Sequence, residues 1–445
     1  MALSDSLIDQ IRACGVVGAG GAGFPTHVKL SARVDTLIVN AAECEPVLVT
    51  DQWLMTTAPA EIVDGIRAAA RQIGASRIVI GIKGHYHDAI AALRPHTSGS
   101  PAIEFHLFQD FYPAGDEHTM VHDITGRIVP EGGIPLDVGC VVQNVSTLFQ
   151  VRRAMFDQPV IRKLVTVAGE VERPGVYEAP IGMSAAEVIN AAGGPLLDDF
   201  RVLDGGPMMG HLLRSLEEPV VKTTAGLIVL PVDHHVVSVR TISDRMSVRR
   251  TSAICCHCRI CTDMCPRFLE GHRIEPHLAM RGILAGREIA KEVMAMSWLC
   301  SQCGVCEEFA CPMGLSPKNI FKQYKDRLVA DGRKNPCHER PEHAREENDW
   351  VRVPKGRLTR RLGLSGYVLP HSGQIVALRD PWMVRIPLKQ HIGASASAIV
   401  AVGDPVRAGQ LIGEIPEGKL GARVHASISG VVRDVTSDVV TIERS

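Results

Sequence analysis

The sequence of 445 residues lacks any long uncharged apolar run. A helix that spans a membrane needs about 20 consecutive apolar residues, so the sequence predicts no transmembrane segment. The N-terminal stretch MALSDSLIDQIRACG also lacks the basic start and apolar core of a secretory signal. These absences lead us to expect a cytoplasmic protein.

The sequence has almost no net charge, because it contains 48 Lys and Arg residues and 49 Asp and Glu residues. Bulk charge therefore gives no indication of a nucleic-acid partner or of an anionic membrane surface. Aromatic residues make up only 4% of the chain, whereas 41 glycines and 27 prolines predict many tight turns. The length is sufficient for roughly two to four domains, each with its own core.

Cysteine, by contrast, is plentiful, and most of the 13 cysteines fall into two dense runs. Such clustering in a protein of the cytoplasm indicates metal binding rather than disulfides. The run CCHCRICTDMCP contains the spacing that bacterial ferredoxins use for a 4Fe–4S cluster, with candidate ligands Cys255, Cys258, Cys261 and Cys265. The run CSQCGVCEEFACP has one extra residue before its last candidate, and its ligands are Cys300, Cys303, Cys306 and Cys311.

We predict that the two runs exchange their fourth ligands, as the runs of two-cluster ferredoxins do. One cluster is then held by Cys255, Cys258, Cys261 and Cys311, and the other by Cys300, Cys303, Cys306 and Cys265. A pair of zinc sites is the alternative, but zinc motifs seldom combine three cysteines at this spacing with a final Cys-Pro. Only the spacing of the run favours Cys255 over its neighbour Cys256 as the cluster ligand. The remaining cysteines are predicted to be ordinary thiols: Cys14, Cys44, Cys140 and Cys337.

The segment GVVGAGGAGFPTHVKL places Gly18, Gly20 and Gly23 in the G-x-G-x-x-G spacing of dinucleotide-binding loops. A Rossmann loop follows a strand and opens a helix. Here the preceding residues have helical spacing, and Pro25 cannot lie inside a helix. The context therefore excludes a Rossmann loop. It leaves either a backbone cradle for phosphate or a flexible turn.

The pattern along the chain divides it into five segments. Alternating strand-like and helix-like stretches predict an α/β domain, a β-rich domain follows, and the cysteine runs lie within helical patterning. A polar, Pro-punctuated linker and a compact all-β module complete the chain. In order, these segments are 1–160, 161–245, 246–330, 331–370 and 371–445.

Four separated motifs, GAGGAGFPTHVKL, VNAAECEP, YPAGDEHTM and VVQNVSTL, occur in the order found in a known family. They resemble the flavin-binding domain of RnfC and, more distantly, the FMN- and NADH-binding subunit of respiratory complex I. The resemblance implies a Rossmann-like FMN domain. It also implies that the following residues bind FMN or NADH: Gly18, Gly20, Gly21, Gly23, Phe24, Lys29, Asn40, Glu43, Glu45, Asp116, Glu117, Asn144 and Thr147.

Within this set the resemblance assigns particular roles. Phe24 would stack on the adenine of NADH, while Asn144 and Thr147 would hold the phosphate region of FMN. The chain departs from the complex I pattern at Ala42, where the family has an acid, and at Gln143, where it has asparagine. A flavin also suits the chemistry, because it accepts an electron pair from nicotinamide and releases single electrons to clusters.

Two further segments resemble known modules. VTVAGEVERPGVYEAPIGMSAAEVINAAGG resembles an SLBB domain of β-grasp type, and the C-terminal segment resembles the barrel-sandwich hybrid domain that RnfC carries at its N-terminus. The resulting order is similar to that of the propanediol-utilisation cobalamin reductases. This resemblance implies a multidomain α/β and β fold with a helical two-cluster ferredoxin domain. It also implies NADH oxidation, corrinoid reduction and residence in a bacterial microcompartment, where a shell protein would be a partner.

Two alternatives to a cobalamin reductase stay open at this point. The chain could be an RnfC-like subunit that feeds NADH electrons into a larger assembly, or a scaffold whose clusters are structural. The sequence contains no D-x-H-x-x-G motif for a cobalt ligand, since DEHTMV, which begins at Asp116, lacks the glycine. A corrinoid substrate would therefore dock transiently.

Overall fold

The computed structural model describes residues 6–285 and 287–444. Its first part is a four-stranded parallel sheet flanked by helices. The helices are α1 (Leu7–Ala13), α2 (Thr26–Lys29), α3 (Thr50–Thr57), α4 (Pro59–Ile73), α5 (His87–Leu93), α6 (Glu117–Thr125) and α7 (Val145–Ala154). The strands are β1 (Thr36–Ala41), β2 (Arg77–Lys83), β3 (Ile103–Phe108), β4 (Phe111–Tyr112) and β5 (Cys140–Asn144).

The parallel sheet has the strand order β3-β2-β1-β5. Helices cover both faces of such a sheet, so its central strands are continuous apolar runs, and five of the six β1 residues are buried. Helix α4 begins with Pro59 at its first position and ends at Gly74, which adopts the left-handed conformation. Ligands bind beyond the carboxyl ends of the strands in open sheets of this kind.

The second part is a mixed sheet with one helix. It contains β6 (Arg162–Gly169), β7 (Gly175–Pro180), α8 (Ala185–Ala191), β8 (Phe200–Asp204), β9 (His211–Leu212) and β10 (Gly226–Pro231). Strands β6 and β10 run parallel at its centre, whereas β7 and β8 pair antiparallel on either side. A capping box opens α8, because the Ser184 hydroxyl accepts from the Glu187 N–H and the Glu187 carboxylate accepts from the Ser184 N–H.

The cysteine runs lie within a helical part. Its helices are α9 (His235–Arg240), α10 (Asp244–Ile254), α11 (Ile260–Asp263), α12 (Pro266–Leu269), α13 (Pro276–Ala285), α14 (Arg287–Ala295) and α15 (Pro317–Ala330). A π-helical turn, Val305–Ala310, carries Cys306. Within the described residues, every helix is too short or too polar to cross a membrane.

The last part packs two small sheets face to face. Its elements are β11 (Val353–Pro354), α16 (Lys355–Arg361), β12 (Val376–Ala377), β13 (Met383–Pro387), β14 (Ser397–Ala398), β15 (Pro405–Val406), β16 (Leu411–Glu414), β17 (Val424–His425), β18 (Gly430–Val435) and β19 (Val439–Glu443). The strand orders are β13-β19-β18-β15 and β14-β16-β17, and β12 joins the edge of β7 in the second part. Alternate residues such as Val384 and Ile386 point into the core.

Residues 331–370, which we expected to form a linker, are partly folded onto the rest of the chain. Strand β11 pairs with β4, and Leu358, Leu362 and Leu364 are fully buried. The expectation rested on the polar composition of the preceding stretch, but a few apolar residues are enough to anchor this segment. The boundaries of the five predicted segments stay predictions.

Candidate functional site

A cleft opens between the carboxyl end of the parallel sheet and the mixed sheet. It contains about 1170 Å³ of empty space, including its open mouth. Its wall is formed by the glycine-rich loop, the segment after β1, the start of α7 and the loops around β9 and β10. Of the predicted cofactor residues, the wall contains Gly20, Gly21, Glu43, Glu45 and Asn144.

The glycine-rich loop is a closed turn between two helices. Val17 and Pro25 form an isolated antiparallel bridge, and the Gly18 N–H donates to the Phe24 carbonyl at 2.9 Å. Helix α1 precedes the loop and α2 begins directly after Pro25, so the exclusion of a Rossmann loop is confirmed. A Cβ atom on Gly20 or Gly21 would meet open space, which leaves this backbone free to contact a ligand.

Two polar contacts fix the loop from both sides of Ala19. Its N–H donates to the Thr147 hydroxyl at 2.9 Å, and its carbonyl accepts from the Lys163 ammonium at 2.8 Å. Thr147 lies in the first turn of α7, whose N-cap is Asn144. The N-terminus of a helix carries a partial positive charge and free N–H groups. The loop, the helix start and Lys163 therefore converge as donors for an anionic group.

Buried carboxyl groups line the floor beside these donors. Asp51 accepts from Asn144 Nδ2 and from the Ser146 hydroxyl, each at 2.6 Å, and burial raises the pKa of its carboxyl. Burial and the neighbouring Asp51 raise the pKa of Glu43 to about 7. Burial lowers the pKa of Lys163 to about 8. The floor therefore changes its protonation close to neutral pH.

Glu45 joins the parallel sheet to the loop DGGPMMG of the second part. Its carboxylate accepts from the N–H groups of Met208 and Met209, both at 2.9 Å. A Cβ atom on Gly206 would lie only 2.2 Å from Glu45 Oε2, so this position requires glycine. Burial raises the pKa of the Glu45 carboxyl. Glu45 thus shapes the cleft as well as lining it.

Four other predicted residues are not part of the cleft wall and contact protein groups instead: Lys29, Asn40, Asp116 and Glu117. Lys29 pairs with Glu117 at 2.6 Å, and Asn40 Nδ2 donates to the Gly115 carbonyl at 2.9 Å. Asp116 accepts from Arg267 at 2.7 and 3.0 Å. Burial opposes ionisation of Asp116, but Arg267 lowers its pKa to about 2.

Two further residues of the glycine-rich loop, Phe24 and Gly23, belong to the predicted set. The Phe24 ring is 39% exposed, so one of its faces is available for stacking. Gly23 has a φ of +69°, and a Cβ atom there would lie 2.6 Å from the Thr223 side chain.

The sequence reasoning missed several residues of the cleft. These are Asp51, Ser146, Lys163, Asp204, His211 and Thr223, all in its wall. Three motifs were the available signals for some of them: VVQNVSTL contains Ser146, the first strand of the SLBB-like segment contains Lys163, and DGGPMMG begins at Asp204. The cleft fits FMN: it is wide enough for a flat ring system, and its donors converge where a phosphate would lie.

The first cysteine group forms a small cavity near the surface. The cavity is lined by five cysteines, Cys255, Cys256, Cys258, Cys261 and Cys311, so it does not choose between Cys255 and Cys256 as a ligand. Burial and the charges of Cys311, Cys258 and Cys255 raise the pKa of Cys261 to about 12. Thiols that converge in this way resist ionisation without a cation, and iron supplies one. The four predicted ligands therefore fit a cluster.

The second cysteine group is buried and lies next to the flavin part. Burial and nearby Cys303 and Cys300 raise the pKa of Cys265, which comes from the first run. Burial raises the pKa of Cys303 to about 11. The Tyr112 hydroxyl donates to the Cys303 carbonyl at 2.7 Å, so strand β4 of the flavin part touches this group. The arrangement fits a second cluster with an exchanged ligand.

We expect Thr147→Val to weaken FMN binding about tenfold, because the Ala19 N–H would lose its partner. A buried unsatisfied donor costs about 1–3 kcal/mol. Thr26→Val is the matched control: Thr26 is also fully buried, but its hydroxyl has no partner among the described residues. Quenching of flavin fluorescence on titration of the flavin-free protein measures both affinities. Equal affinities for the two variants would contradict the role of Thr147.

The chain matches four known domain families. Residues 11–153 match the Nuo51 FMN-binding domain, and 164–211 match the SLBB domain. Residues 254–316 match a 4Fe-4S dicluster domain, and 369–444 match the RnfC barrel sandwich hybrid domain. These matches confirm the predicted modules and the predicted cofactors, FMN and two 4Fe–4S clusters, and NADH is the donor for this type of flavin domain.

Full-length relatives are also found. The chain is 42% identical over 444 residues to the cobalamin reductase PduS of Citrobacter freundii, covering 99% of this chain and 97% of that protein. It is 44% identical over 451 residues to the cobalamin reductase PduS of Salmonella typhimurium, covering 100% and 98%. A chain of the NAD+-reducing [NiFe]-hydrogenase in the H2-reduced state is 23% identical, with a TM-score of 0.48 and coverage of 74% and 67%.

Proposed function

This chain belongs to the PduS family of cobalamin reductases, and we propose on that premise that it transfers electrons from NADH to cobalamin. The chain is an oxidoreductase of the flavin and iron–sulfur type. When bound, FMN takes an electron pair from nicotinamide and two 4Fe–4S clusters carry single electrons onward. The chain's own residues bind and orient these groups.

The order of the sites supports this proposal most strongly. Tyr112 packs in one apolar cluster with Leu48 of the cleft wall and donates to the Cys303 carbonyl. Lys318 of α15 donates to the Met208 carbonyl of the DGGPMMG loop at 2.7 Å. The first cysteine group lies farther out, where Cys256 and Cys258 are exposed. A substrate outside the protein can therefore approach the first group without entering the cleft.

The lining of the cleft also supports the donor side of the reaction. Glu43 and Lys163 have pKa values moved toward neutrality by burial, so both can hold or release a proton beside a bound ring. Ala19 and Gly20 line the cleft, while the Phe24 side chain is exposed. These residues bind and position the donor.

An anaerobic titration tests the proposal. We expect NADH to bleach the yellow-brown protein, and added aquocobalamin to restore the colour repeatedly with no other protein present. Visible spectroscopy and paramagnetic resonance follow the two stages. If NADH bleaches the protein but cobalamin is reduced only after a second protein is added, the chain is an electron-input subunit. If NADH causes no bleaching, the clusters are structural.

The family also motivates a proposed location. A propanediol-utilisation reductase would work within a bacterial microcompartment of the cytoplasm, with a shell protein as a partner. The full-length likeness to PduS supports this location. Co-purification of the chain with shell particles, compared with a soluble marker enzyme, tests it.

A further inference from the structure

Two histidines and a glutamate meet at the junction of the flavin part and the cysteine part, and none of them lines the cleft or the cavity of the first cysteine group. His118 lies on α6, while Glu270 and His272 follow α12. One ligand atom from each residue lies within 4.8 Å of the others, and His118 Nδ1 is 3.9 Å from Glu270 Oε2. None of these residues has a role in the proposed electron transfer.

Both imidazoles bring a buried ring nitrogen to this junction. His272 Nε2 contacts the Val129 carbonyl at 2.9 Å. Backbone carbonyls accept from N–H groups, so this ring carries its proton on Nε2 and leaves Nδ1 as an acceptor. The Nδ1 atoms of both rings are buried, and neither has a partner among the described residues. His272 is only 1% exposed, so bulk water does not satisfy its Nδ1 atom.

A histidine that binds a metal usually donates its second ring N–H to a backbone carbonyl or a carboxylate, which fixes the ring. The His272 ring has that arrangement through the Val129 carbonyl. Burial lowers the pKa of His118 to about 3 and lowers that of His272. The rings are therefore neutral at physiological pH, which is the form that binds a metal.

Buried charge at the junction also favours a cation. Arg267 pairs with Asp116 and with Glu270 Oε2 at 3.1 Å, and the Thr119 hydroxyl donates to Glu270 Oε1 at 2.8 Å. Glu131 Oε2 is buried with no partner among the described residues. Burial raises the pKa of Glu270 to about 7, so these donors do not keep its carboxyl fully ionised, whereas a bound cation would favour the ionised form.

We infer that His118, Glu270 and His272 bind a divalent first-row cation, for which Zn²⁺ is the best fit. Two imidazole nitrogens and one carboxylate oxygen form a common zinc ligand set that leaves a fourth position for water. Zinc bonds of about 2.0–2.2 Å place tetrahedral ligands about 3.3 Å apart, so small side-chain movements close the site. The ion would connect α6 to the segment that follows the cluster ligand Cys265.

The test uses the complete protein with flavin and clusters in place. After dialysis against micromolar Zn²⁺ and then against metal-free buffer, we expect about one zinc per chain in addition to the cluster iron. His118→Ala and His272→Ala should each lower the zinc content at least tenfold without loss of iron. His96→Ala is the control, since His96 is exposed on a separate turn. Zinc retained equally in all three variants would overturn the proposal.

X-ray absorption at the zinc edge of the unmodified protein needs no variant and identifies the ligands directly. We expect nitrogen and oxygen neighbours at about 2.0–2.2 Å and no sulfur near about 2.3 Å. A sulfur shell would place the zinc in the cysteine groups and overturn the inference. Protein with full iron and no bound zinc would also overturn it, since a water molecule would then satisfy the two Nδ1 atoms.

Discussion

Replacing Cys311 with alanine should remove the cluster of the first cysteine run and leave that of the second run in place. The physical reason is the position of Cys311, which lines one cavity with Cys255, Cys258 and Cys261 although it is the last cysteine of the second run. The reciprocal change, Cys265→Ala, should remove the other cluster, because Cys265 lies beside Cys300 and Cys303. Each variant should lose about half of the protein's iron.

Two reference variants decide which cluster has been lost. Cys258→Ala and Cys303→Ala each remove a ligand from the middle of one run. Each of these cysteines belongs to the cluster of its own run whether or not the fourth ligands are exchanged. If the fourth ligands are exchanged, the paramagnetic resonance spectrum of reduced Cys311→Ala matches that of Cys258→Ala. A match with Cys303→Ala would mean that each run supplies all four ligands of its own cluster. Cys140→Ala is the control, since this buried thiol lies on β5 of the flavin part.

Local spacing was sufficient to predict the dicluster domain, whereas the flavin, SLBB and sandwich modules were predicted from short motifs that resemble known families. The position of Pro25 was sufficient to exclude a Rossmann loop. The capping box at Ser184 and Glu187 is likewise visible in the sequence, as a Ser followed three residues later by a Glu. In each case the residues that make the feature are neighbours in sequence, and backbone sterics and local hydrogen bonds decide the outcome.

The parts that could not be predicted depend on contacts between distant residues. Lys163 begins the second sheet, but it reaches the cleft only because that sheet packs against the glycine-rich loop. Lys355 lies in a polar stretch, yet its ammonium donates to the Glu43 carbonyl at 3.2 Å, and burial lowers its pKa to about 8. The contacting residues are more than 140 positions apart in the sequence in both cases. No local sequence pattern therefore predicts these contacts.

Gly21→Leu should weaken FMN binding by at least a hundredfold. Gly21 has a φ of +62° and faces open space in the cleft wall, so a leucine side chain would occupy the volume that a bound ring or phosphate needs. The left-handed backbone adds about 1–2 kcal/mol of strain for any residue with a Cβ atom. Loss of affinity therefore has two sources, steric exclusion and backbone strain, and a control must separate them.

Gly418→Leu provides that control because it introduces the same backbone strain without placing a side chain in the cleft. Gly418 has a φ of +67°, also faces open space and lies in the C-terminal sandwich, far along the chain from the cleft. Both variants should lose similar amounts of thermal stability, whereas only Gly21→Leu should fail to bind FMN in a fluorescence titration. Normal FMN affinity in Gly21→Leu would mean that the flavin lies elsewhere. The glycine-rich loop would then be only a flexible turn, and the placement of the donor site would have to be abandoned.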